Sequence, residues 1–358
     1  MASLRPADLR RMLAQIYPWI KSPLIVGAPM RVMSGPSLAV AVSSAGGLGF
    51  IGPQVTAEDV FLDLEKAVDL VSSASAFRRR TSPALLPIGV GFQTWNGDLQ
   101  VAKSAVQKHR PCAIWLFAPR RGQDELNEWT TGVRQASPET QVWIQVGTLG
   151  EAIEAARSPT PPDVLVVQGA EAGGHGRAKD GLGTMALFPE TADATRESGI
   201  PLVAAGGIVD GRGVAAALAL GAAGVAMGTR LLAATETRIS RGYQNEVLRA
   251  TDGATSTVRT QLYNHLRGAF GWPDQFSPRT LINRSWVDHE AGVPFDRLKQ
   301  LHDEAAKTGD AGWGLEGRLA TYVGAAVGLV RSVDDAGAIV NRARDEATSI
   351  IRSLADDD

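Results

Sequence analysis

The sequence has one cysteine, no long apolar run and almost no net charge, and each of these absences excludes a class of protein. A single cysteine, Cys112, cannot form an internal disulfide, and its apolar setting CAIWLFA favours a buried small side chain over a nucleophile. No apolar run reaches the roughly 18 residues of a membrane span. A formal net charge of −2 over 358 residues argues against nucleic acid as the main partner. We therefore expect a cytoplasmic globular protein without a nucleic-acid or membrane partner.

The first twenty residues are basic, which is also a feature of transit peptides. Asp8 interrupts this stretch, and no serine-rich segment follows it. We therefore predict a short amphipathic helix here, leading into the first strand.

Short β-rich runs alternate with helix-like segments along the first two thirds of the chain. The eight runs are LIVGAP (Leu24–Pro29), LGFIG (Leu48–Gly52), LPIGVGF (Leu86–Phe92), AIWLFA (Ala113–Ala118), VWIQVG (Val142–Gly147), VLVVQG (Val164–Gly169), PLVAAGG (Pro201–Gly207) and GVAMGT (Gly224–Thr229). Helical spacing lies between them, for example at 60–72, 99–109, 149–157 and 214–220. Strands that are apolar on both faces and separated by single helices indicate a parallel sheet. Eight such units predict an α/β fold, a (β/α)8 TIM barrel, rather than an open doubly wound sheet.

About 130 residues follow the last predicted strand, although a barrel alone takes only about 250 residues. Residues 237–312 are polar, richer in Arg and Asn, and contain most of the aromatic residues in the C-terminal part. We predict a barrel over residues 1–236 and a smaller, mainly helical domain over 237–312. This domain is inserted after strand 8 and covers the barrel mouth. Residues 313–358 are predicted to form C-terminal helices that return to the barrel.

Two glycine-rich loops follow the seventh and eighth predicted strands. AAGGIVDGRG (Ala204–Gly213) and AMGTR (Ala226–Arg230) each lead from a strand into a helix. Loops at these two places form the usual phosphate site of such barrels, because backbone N–H groups and a helix N-terminus face the anion. Tight turns without a ligand are the alternative, but they explain two such loops at both positions less well. The predicted phosphate cradle consists of Gly206, Gly207, Gly228 and Thr229.

The stretch VVQGAEAGGHGR (Val166–Arg177) places one of only five histidines in a predicted loop with four glycines, just after the sixth strand. Gln168 ends that strand and offers a donor and an acceptor to the edge of a heterocycle. Gly173 and Gly174 allow backbone to approach a ligand, and we predict that His175 points into the mouth. There it serves either as a general base or as a hydrogen-bond donor to a developing anion. No second histidine or cysteine lies at ligand spacing, so no metal site is predicted.

The end of the first strand, GAPMRVMSGPS, places Pro29 and Met30 at the same mouth. A rigid proline and a soft apolar side chain suit one face of a flat ring system. A methionine is, however, more often a core residue, so this feature alone is weak. The four histidines other than His175 are interpreted as structural.

These motifs together resemble the nitronate monooxygenase family, formerly called 2-nitropropane dioxygenases, whose members are FMN-dependent (β/α)8 barrels with a helical second domain. The resemblance runs from about residue 18 to residue 330. It includes GAPM, AVSSAGGLGFIG, QGAEAGGHGR, PLVAAGGIVDGRGVAAALALGAAGVAMGTRLLAATE and the late block TVRTQLYNHLRG…WP. The late block is most similar to fungal-type and related bacterial members, more than to the shorter enoyl reductases.

The resemblance implies FMN as the cofactor, with its phosphate in the glycine cradle and its ring beside the first and sixth strands. Gln145 stands where many relatives have a lysine near the flavin, so a positive charge that would stabilise reduced, anionic flavin is missing. The cofactor-binding residues implied are Ala28, Pro29, Met30, Gln145, Gln168, Gly173, Gly174, Gly206, Gly207, Gly228 and Thr229.

The implied reaction is the oxidation of an alkyl nitronate by flavin and O2 to a carbonyl compound and nitrite, with nitroalkanes as further candidate substrates. His175 matches the family histidine that is assigned as catalytic base or as donor to the nitro group. Two alternatives remain. One is an NADH-dependent FMN reductase of quinones or enoyl thioesters, and the other is a catalytically idle FMN-binding scaffold. The expected partners are the small-molecule substrate and O2, and a homodimer stays open.

Overall fold

The computed structural model describes residues 5–77 and 85–355, and its centre is a closed barrel of parallel strands. The strands are β1 (Leu24–Gly27), β2 (Leu48–Ile51), β3 (Leu86–Gln93), β4 (Pro111–Phe117), β5 (Gln141–Val146), β6 (Val164–Gln168), β7 (Gly174–Arg177), β8 (Leu202–Ala205), β9 (Gly224–Met227), β10 (Thr257–Arg259) and β11 (Phe276–Leu281). Eight of them form the barrel in the order β1-β2-β3-β4-β5-β6-β8-β9, and β9 pairs with β1 to close it. The predicted (β/α)8 barrel is confirmed, and each of the eight predicted runs overlaps one barrel strand.

Helices follow the barrel strands and form the outer layer. The helices are α1 (Pro6–Ile16), α2 (Pro36–Ser44), α3 (Ala57–Ser73), α4 (Leu99–His109), α5 (Gln123–Ala136), α6 (Leu149–Arg157), α7 (Thr184–Ala194), α8 (Gly211–Ala219), α9 (Thr229–Leu232), α10 (Arg241–Arg249), α11 (Gly253–Ser256), α12 (Leu262–Leu266), α13 (Arg284–Glu290), α14 (Phe295–Ala306) and α15 (Ala336–Ala355). Side-chain caps fix several starts: Thr56 accepts from the Asp59 N–H, and Thr148 accepts from the Glu151 N–H. Among the described residues, no helix combines the length and apolar character needed to cross a bilayer.

Large side chains fill the barrel interior at its amino-terminal end. The rings of Phe50 and Trp143 lie 5.2 Å apart, and Trp143 Nε1 donates a hydrogen bond to the Tyr17 hydroxyl at 2.9 Å. Tyr17 directly follows α1 and is fully buried, so the predicted N-terminal helix lies across this end of the barrel. Cys112 is buried in the same cluster, as its sequence setting predicts. Because this end is filled, space for a ligand is found at the carboxyl ends of the strands.

Residues 237–312 form a second region that is mostly helical. Two strands of this second region form a small antiparallel sheet with β7, which the sequence did not reveal. In this sheet β11 pairs with β10 on one side and with β7 on the other. β7 belongs to the glycine-rich stretch after β6, and its residue His175 lies opposite Pro278. The stretch predicted as a loop around His175 is therefore a strand, because its partner is about a hundred residues away along the chain. The domain boundaries at 236/237 and 312/313 stay predictions.

The last helix, α15, lies against α8 and α2 on the outside of the barrel. Its Arg344 guanidinium donates to the carbonyls of Ala45 and Gly46 at 3.1 and 2.9 Å. Glu346 of the same helix accepts a hydrogen bond from the backbone N–H of Gly211 at 2.8 Å. These contacts fix α15 in the outer layer, next to the helix that follows β8.

Candidate active site

A cavity of about 530 Å³ lies at the carboxyl end of the barrel. It is lined by all twelve residues that the sequence predicts for the site: Ala28, Pro29, Met30, Gln145, Gln168, Gly173, Gly174, His175, Gly206, Gly207, Gly228 and Thr229. Side chains two residues apart on a strand face the same way. Gln145 therefore follows the inward-facing Trp143 on β5, and Gln168 follows Val166 on β6. The two-residue repeat that buries Trp143 and Val166 inside the barrel therefore places Gln145 and Gln168 at its mouth.

The glycines after β8 adopt backbone conformations that L-residues rarely take. Gly206 has φ +97° and Gly207 has φ +75°. A Cβ on Gly206 would also lie 2.9 Å from the carbonyl oxygen of Gly169. A glycine is therefore required at Gly206 both by conformation and by the neighbouring loop.

Beyond β9 the loop is open towards the cavity. A Cβ on Gly228 would meet nothing closer than Ala28 and Met30, both at 3.9 Å. The Thr229 hydroxyl oxygen accepts a hydrogen bond from the Gly324 N–H at 2.9 Å, so its hydrogen remains to be donated. The loop thus combines free space with a hydroxyl donor.

The two glycines before His175 have different roles. A Cβ on Gly173 would lie 2.3 Å from the carbonyl carbon of Val323, so its close approach is to protein backbone and not only to a ligand. Gly174 has φ +65°, and no atom lies within 4 Å of the place where its Cβ would be. Because Gly174 also lines the cavity, the space beside it is open for a ligand.

Two glutamines border the floor of the cavity. Trp115 Nε1 donates to Gln145 Oε1 at 2.9 Å, which leaves the amide nitrogen of Gln145 as a donor. Gln168 Nε2 lies 3.4 Å from the His175 carbonyl oxygen. The floor therefore offers neutral amides, with no cationic side chain from β5.

His175 stacks on an aromatic side chain from the region after β9. The imidazole and the Trp272 ring have centroids 3.5 Å apart and an interplanar angle of 8°. The Asn264 amide nitrogen lies 2.9 Å from His175 Nε2. Burial lowers the pKa of His175 to about 3, and the positive charges of Arg259 and Arg31 act in the same direction. The imidazole is therefore neutral at physiological pH.

A buried arginine holds the segment that leads to His175. Arg259 on β10 donates to the backbone carbonyls of Ala170, Ala172 and Gly174 at 3.1, 3.0 and 3.3 Å. Burial lowers the Arg259 pKa to about 10, so the guanidinium stays charged at neutral pH. The five donors of a guanidinium suit such a set of carbonyls. Region 237–312 thus fixes the backbone of residues 170–174 from outside the barrel.

The carboxylate of Glu171, in the same segment, is used for hydrogen bonds within the protein. Its carboxylate accepts from the Thr184 N–H at 2.9 and 3.0 Å and from the Thr184 hydroxyl at 3.2 Å, at the start of α7. Among the residues that the structure describes, no group of three His, Cys, Asp or Glu side chains is placed to hold a metal ion.

Comparison with known proteins identifies the family. The model of the nitronate monooxygenase family matches residues 127–268. The chain is 72% identical over 354 residues to the nitronate monooxygenase npaC of Metarhizium robertsii, with 99% of each chain covered. The chain belongs to the nitronate monooxygenase family. A nitronate monooxygenase of Neurospora crassa is 34% identical, over 94% of this chain and 92% of its own length.

Solved structures show the same fold. A nitroalkane oxidase from Streptomyces ansochromogenes superposes with a TM-score of 0.71 at 23% identity, covering 96% of this chain and 99% of its own. FabK from Thermotoga maritima superposes with a TM-score of 0.73 at 23% identity, covering 96% of this chain and 98% of its own.

The predicted family, enzyme class and nitronate oxidation are confirmed, and the predicted flavin is the cofactor class that nitronate monooxygenases imply. The NADH-dependent reductase alternative is not favoured.

Several residues at the mouth of this nitronate monooxygenase were missed by sequence reasoning. The cavity lining has two charged side chains, Arg31 and Arg267, and no acid among the described residues. Apart from the predicted residues, its polar and aromatic lining residues are Gln93, Trp95, Asn96, Trp115, Phe117, Asn264, Phe270, Trp272 and Tyr322. The late block TVRTQLYNHLRG…WP contains three of the missed residues: Asn264, Arg267 and Trp272. The block was recognised as a family signal, but no local pattern showed which of its side chains reach the cavity.

Proposed function

We propose that this chain binds FMN in the cavity at the barrel mouth and oxidises alkyl nitronates with O2 to a carbonyl compound and nitrite. The cavity of about 530 Å³ lies in the range of small-molecule and cofactor sites. When bound, FMN supplies the redox chemistry, and the protein supplies binding, orientation and electrostatics. The proposed location is the cytoplasm, which the single cysteine supports.

The loops after β8 and β9 are the proposed phosphate site. The backbone N–H groups of Gly206 and Gly207 and the hydroxyl of Thr229 are donors that suit a phosphate. Gly228 leaves open the space that a side chain would fill, because its Cβ would meet only atoms at 3.9 Å. The residues present therefore fit a phosphate group.

The proposed contacts of the ring are apolar on one side and amide-like at the edge. Pro29 and Met30 follow β1 and line the cavity. Gln145 and Gln168 bring side-chain amides from β5 and β6, which match the donors and acceptors at the edge of a heterocycle. No protein atom lies within 4 Å of the place where a Cβ of Gly174 would be, so the space beside this glycine is free for the ring.

The observation that carries the substrate proposal is the positive, acid-free mouth above a neutral histidine. A nitronate is an anion, and Arg31 and Arg267 are the charged residues among the described lining residues. Burial and the neighbouring charge of Arg267 lower the pKa of Arg31, as expected for two cations that share one opening. A bound anion would relieve this repulsion. With a pKa of about 3, His175 is a poor general base near neutral pH, so a pre-formed nitronate suits the site better than a nitroalkane.

The test uses the purified chain and its bound flavin. We expect the protein to be isolated yellow and to release FMN on denaturation. We also expect it to produce nitrite from alkyl nitronates in the presence of O2. In anaerobic mixing, nitronate should bleach the flavin quickly and NADH slowly. Rapid bleaching by NADH with none by nitronates would contradict the proposal and support a reductase. Loss of nitrite release in His175→Leu, with FMN still bound, would separate this enzyme from an idle flavin-binding scaffold.

A further inference from the structure

We propose that Asn264 is a positioning residue that holds His175 in the neutral form with its proton on Nδ1, so that His175 donates a hydrogen bond to the substrate and does not act as a base. The consequence for turnover rests on the proposed function, whereas the tautomer itself does not. The hydrogen bonds around Asn264 form a network that ends at a backbone carbonyl on one side and at a guanidinium on the other.

One end of the network is a backbone carbonyl, which can only accept. Gln261 Nε2 lies 2.5 Å from the carbonyl oxygen of Phe276, so this atom of Gln261 is the amide nitrogen. Its other atom, Oε1, is therefore an acceptor. The Asn264 atom 2.7 Å from Gln261 Oε1 must then be the amide nitrogen Nδ2.

The other end of the network is a guanidinium, which can only donate. Arg267 donates to the Tyr322 hydroxyl oxygen at 3.1 Å, which leaves the hydroxyl hydrogen of Tyr322 to be donated onward. Asn264 Oδ1 lies 3.4 Å from this hydroxyl and accepts it. The carbonyl end fixes the orientation of the Asn264 amide, and the Tyr322 hydroxyl fits the same orientation as a donor to Oδ1. The opposite orientation would place the Asn264 oxygen against Gln261 Oε1, acceptor against acceptor.

With this orientation, the Asn264 amide nitrogen donates to His175 Nε2 at 2.9 Å. Nε2 must therefore carry a lone pair, and a neutral imidazole then has its proton on Nδ1. Asn264 is 2% exposed, so water does not compete for this contact. The charged groups that face the ring are the cations Arg259, Arg31 and Arg267, none of which favours a second proton on it.

Nδ1–H is what His175 offers to a ligand. No group among the described residues forms a hydrogen bond with Nδ1, and the ring lines the cavity with one face against Trp272. An Nδ1–H group donates to an oxygen of a nitronate but has no lone pair with which to take a proton from carbon. The site is therefore built for substrates that have already lost that proton.

The first measurement is the tautomer itself, by long-range 1H–15N correlation NMR of the purified enzyme labelled with 15N-histidine. The sequence has five histidines, and His175→Gln identifies the signal by its loss. We expect a protonated Nδ1 and an unprotonated Nε2 in the wild-type enzyme. A protonated Nε2, in either the neutral ring or the imidazolium, would overturn the inference without the use of any other variant.

The second measurement reverses the contact with Asn264→Asp, which has nearly the same shape. A carboxylate accepts from Nε2–H, so we expect the proton to move to Nε2 and the spectrum to change accordingly. Asn283→Asp is the matched control. Asn283 is also a buried amide of this region, but it contacts Tyr263 and Leu319 instead of His175. The control should leave the His175 spectrum unchanged.

The functional readout is the ratio of kcat/KM for a nitroalkane to kcat/KM for its nitronate. We expect this ratio to rise about tenfold or more in Asn264→Asp and to stay unchanged in Asn283→Asp, because only the first exposes a lone pair on Nδ1. An unchanged ratio in Asn264→Asp despite a shifted proton would overturn the specificity role. Wild-type enzyme with an Nδ1–H spectrum but no turnover of either substrate would overturn the proposed function and leave the positioning role supported.

Discussion

Adding one methyl group at Gly174 separates the cost of backbone strain from the effect on the proposed flavin site. Gly174 has φ +65° and no atom within 4 Å of its Cβ position, and it lines the cavity. Gly292, after α13, has φ +83° and likewise has no atom within 4 Å, but it is exposed and far along the chain from the site. Gly174→Ala and Gly292→Ala therefore carry the same backbone strain, without a clash against protein. They differ in what occupies the space beside the new methyl group.

The expected loss of stability is small and similar in both variants. An alanine in the left-handed region costs about 1–2 kcal/mol, partly offset by about 0.4–1 kcal/mol from the lower entropy of the unfolded chain. At an unfolding entropy of about 2.1 cal/mol/K per residue over 358 residues, this lowers Tm by at most about 2 °C. In Gly174→Ala the methyl group additionally overpacks the bound flavin, at about 1–3 kcal/mol. This corresponds to a rise in the Kd for FMN of about 5- to 150-fold.

The assay titrates flavin-free protein with FMN and follows the quenching of flavin fluorescence, with Tm measured on the same samples. We expect wild type and Gly292→Ala to have the same Kd, and Gly174→Ala to bind at least about fivefold more weakly at a similar Tm. Equal Kd values in all three proteins would refute the placement of the flavin beside Gly174. A large drop in Tm in Gly174→Ala alone would refute the claim that the space there is free of protein.

Two further predictions concern the groups around the histidine. The pKa of His175 is about 3 in the folded state and about 6.5 when unfolded, so between these pH values only the unfolded chain binds the proton. Acidification in this range should therefore lower the free energy of unfolding by about 1.4 kcal/mol per pH unit more in wild type than in His175→Gln. Urea denaturation from pH 7 to pH 4 measures this, and parallel curves would contradict it. Arg259→Lys keeps the charge but leaves backbone carbonyls without donors, so we expect a destabilisation of about 2–3 kcal/mol in urea. The exposed Arg196→Lys should stay within about 0.5 kcal/mol, and equal effects of the two changes would contradict the role of Arg259.

The barrel was predictable because its strands depend on local periodicity, whereas the twelve candidate site residues came partly from strand ends and partly from the family resemblance. A parallel strand that is buried on both faces gives a short apolar run, and its carboxyl end lies at the mouth whatever its neighbours are. Gln168 needed no tertiary information beyond the strand that it ends, whereas Gln145 was implied by comparison with the family. The glycine loops at Gly206 and Gly228 were likewise placed by counting strands.

The part of the site formed by residues that follow β9 was not predictable from local patterns. The contact between Asn264 and His175 joins residues 89 positions apart, and no periodic signal connects them. The stack on Trp272 comes from a turn-rich segment, between α12 and β11, without regular spacing. The sequence also predicted a loop where β7 forms, because the pairing of β7 with β11 is decided by the second region.

The role of His175 is therefore decided by the part of the chain that sequence reasoning described least well. The barrel delivers the histidine to the mouth, but a neutral imidazole at that place is still free to present either nitrogen. Its choice is made by Asn264, whose amide is oriented in turn by a backbone carbonyl and a guanidinium from the second region. Relatives that share the motif EAGGHG but present a hydrogen-bond acceptor to Nε2 would offer a lone pair on Nδ1 in place of a donor. The glycine-histidine motif thus predicts where the group lies, and the residue opposite Nε2 predicts whether the enzyme can remove a proton.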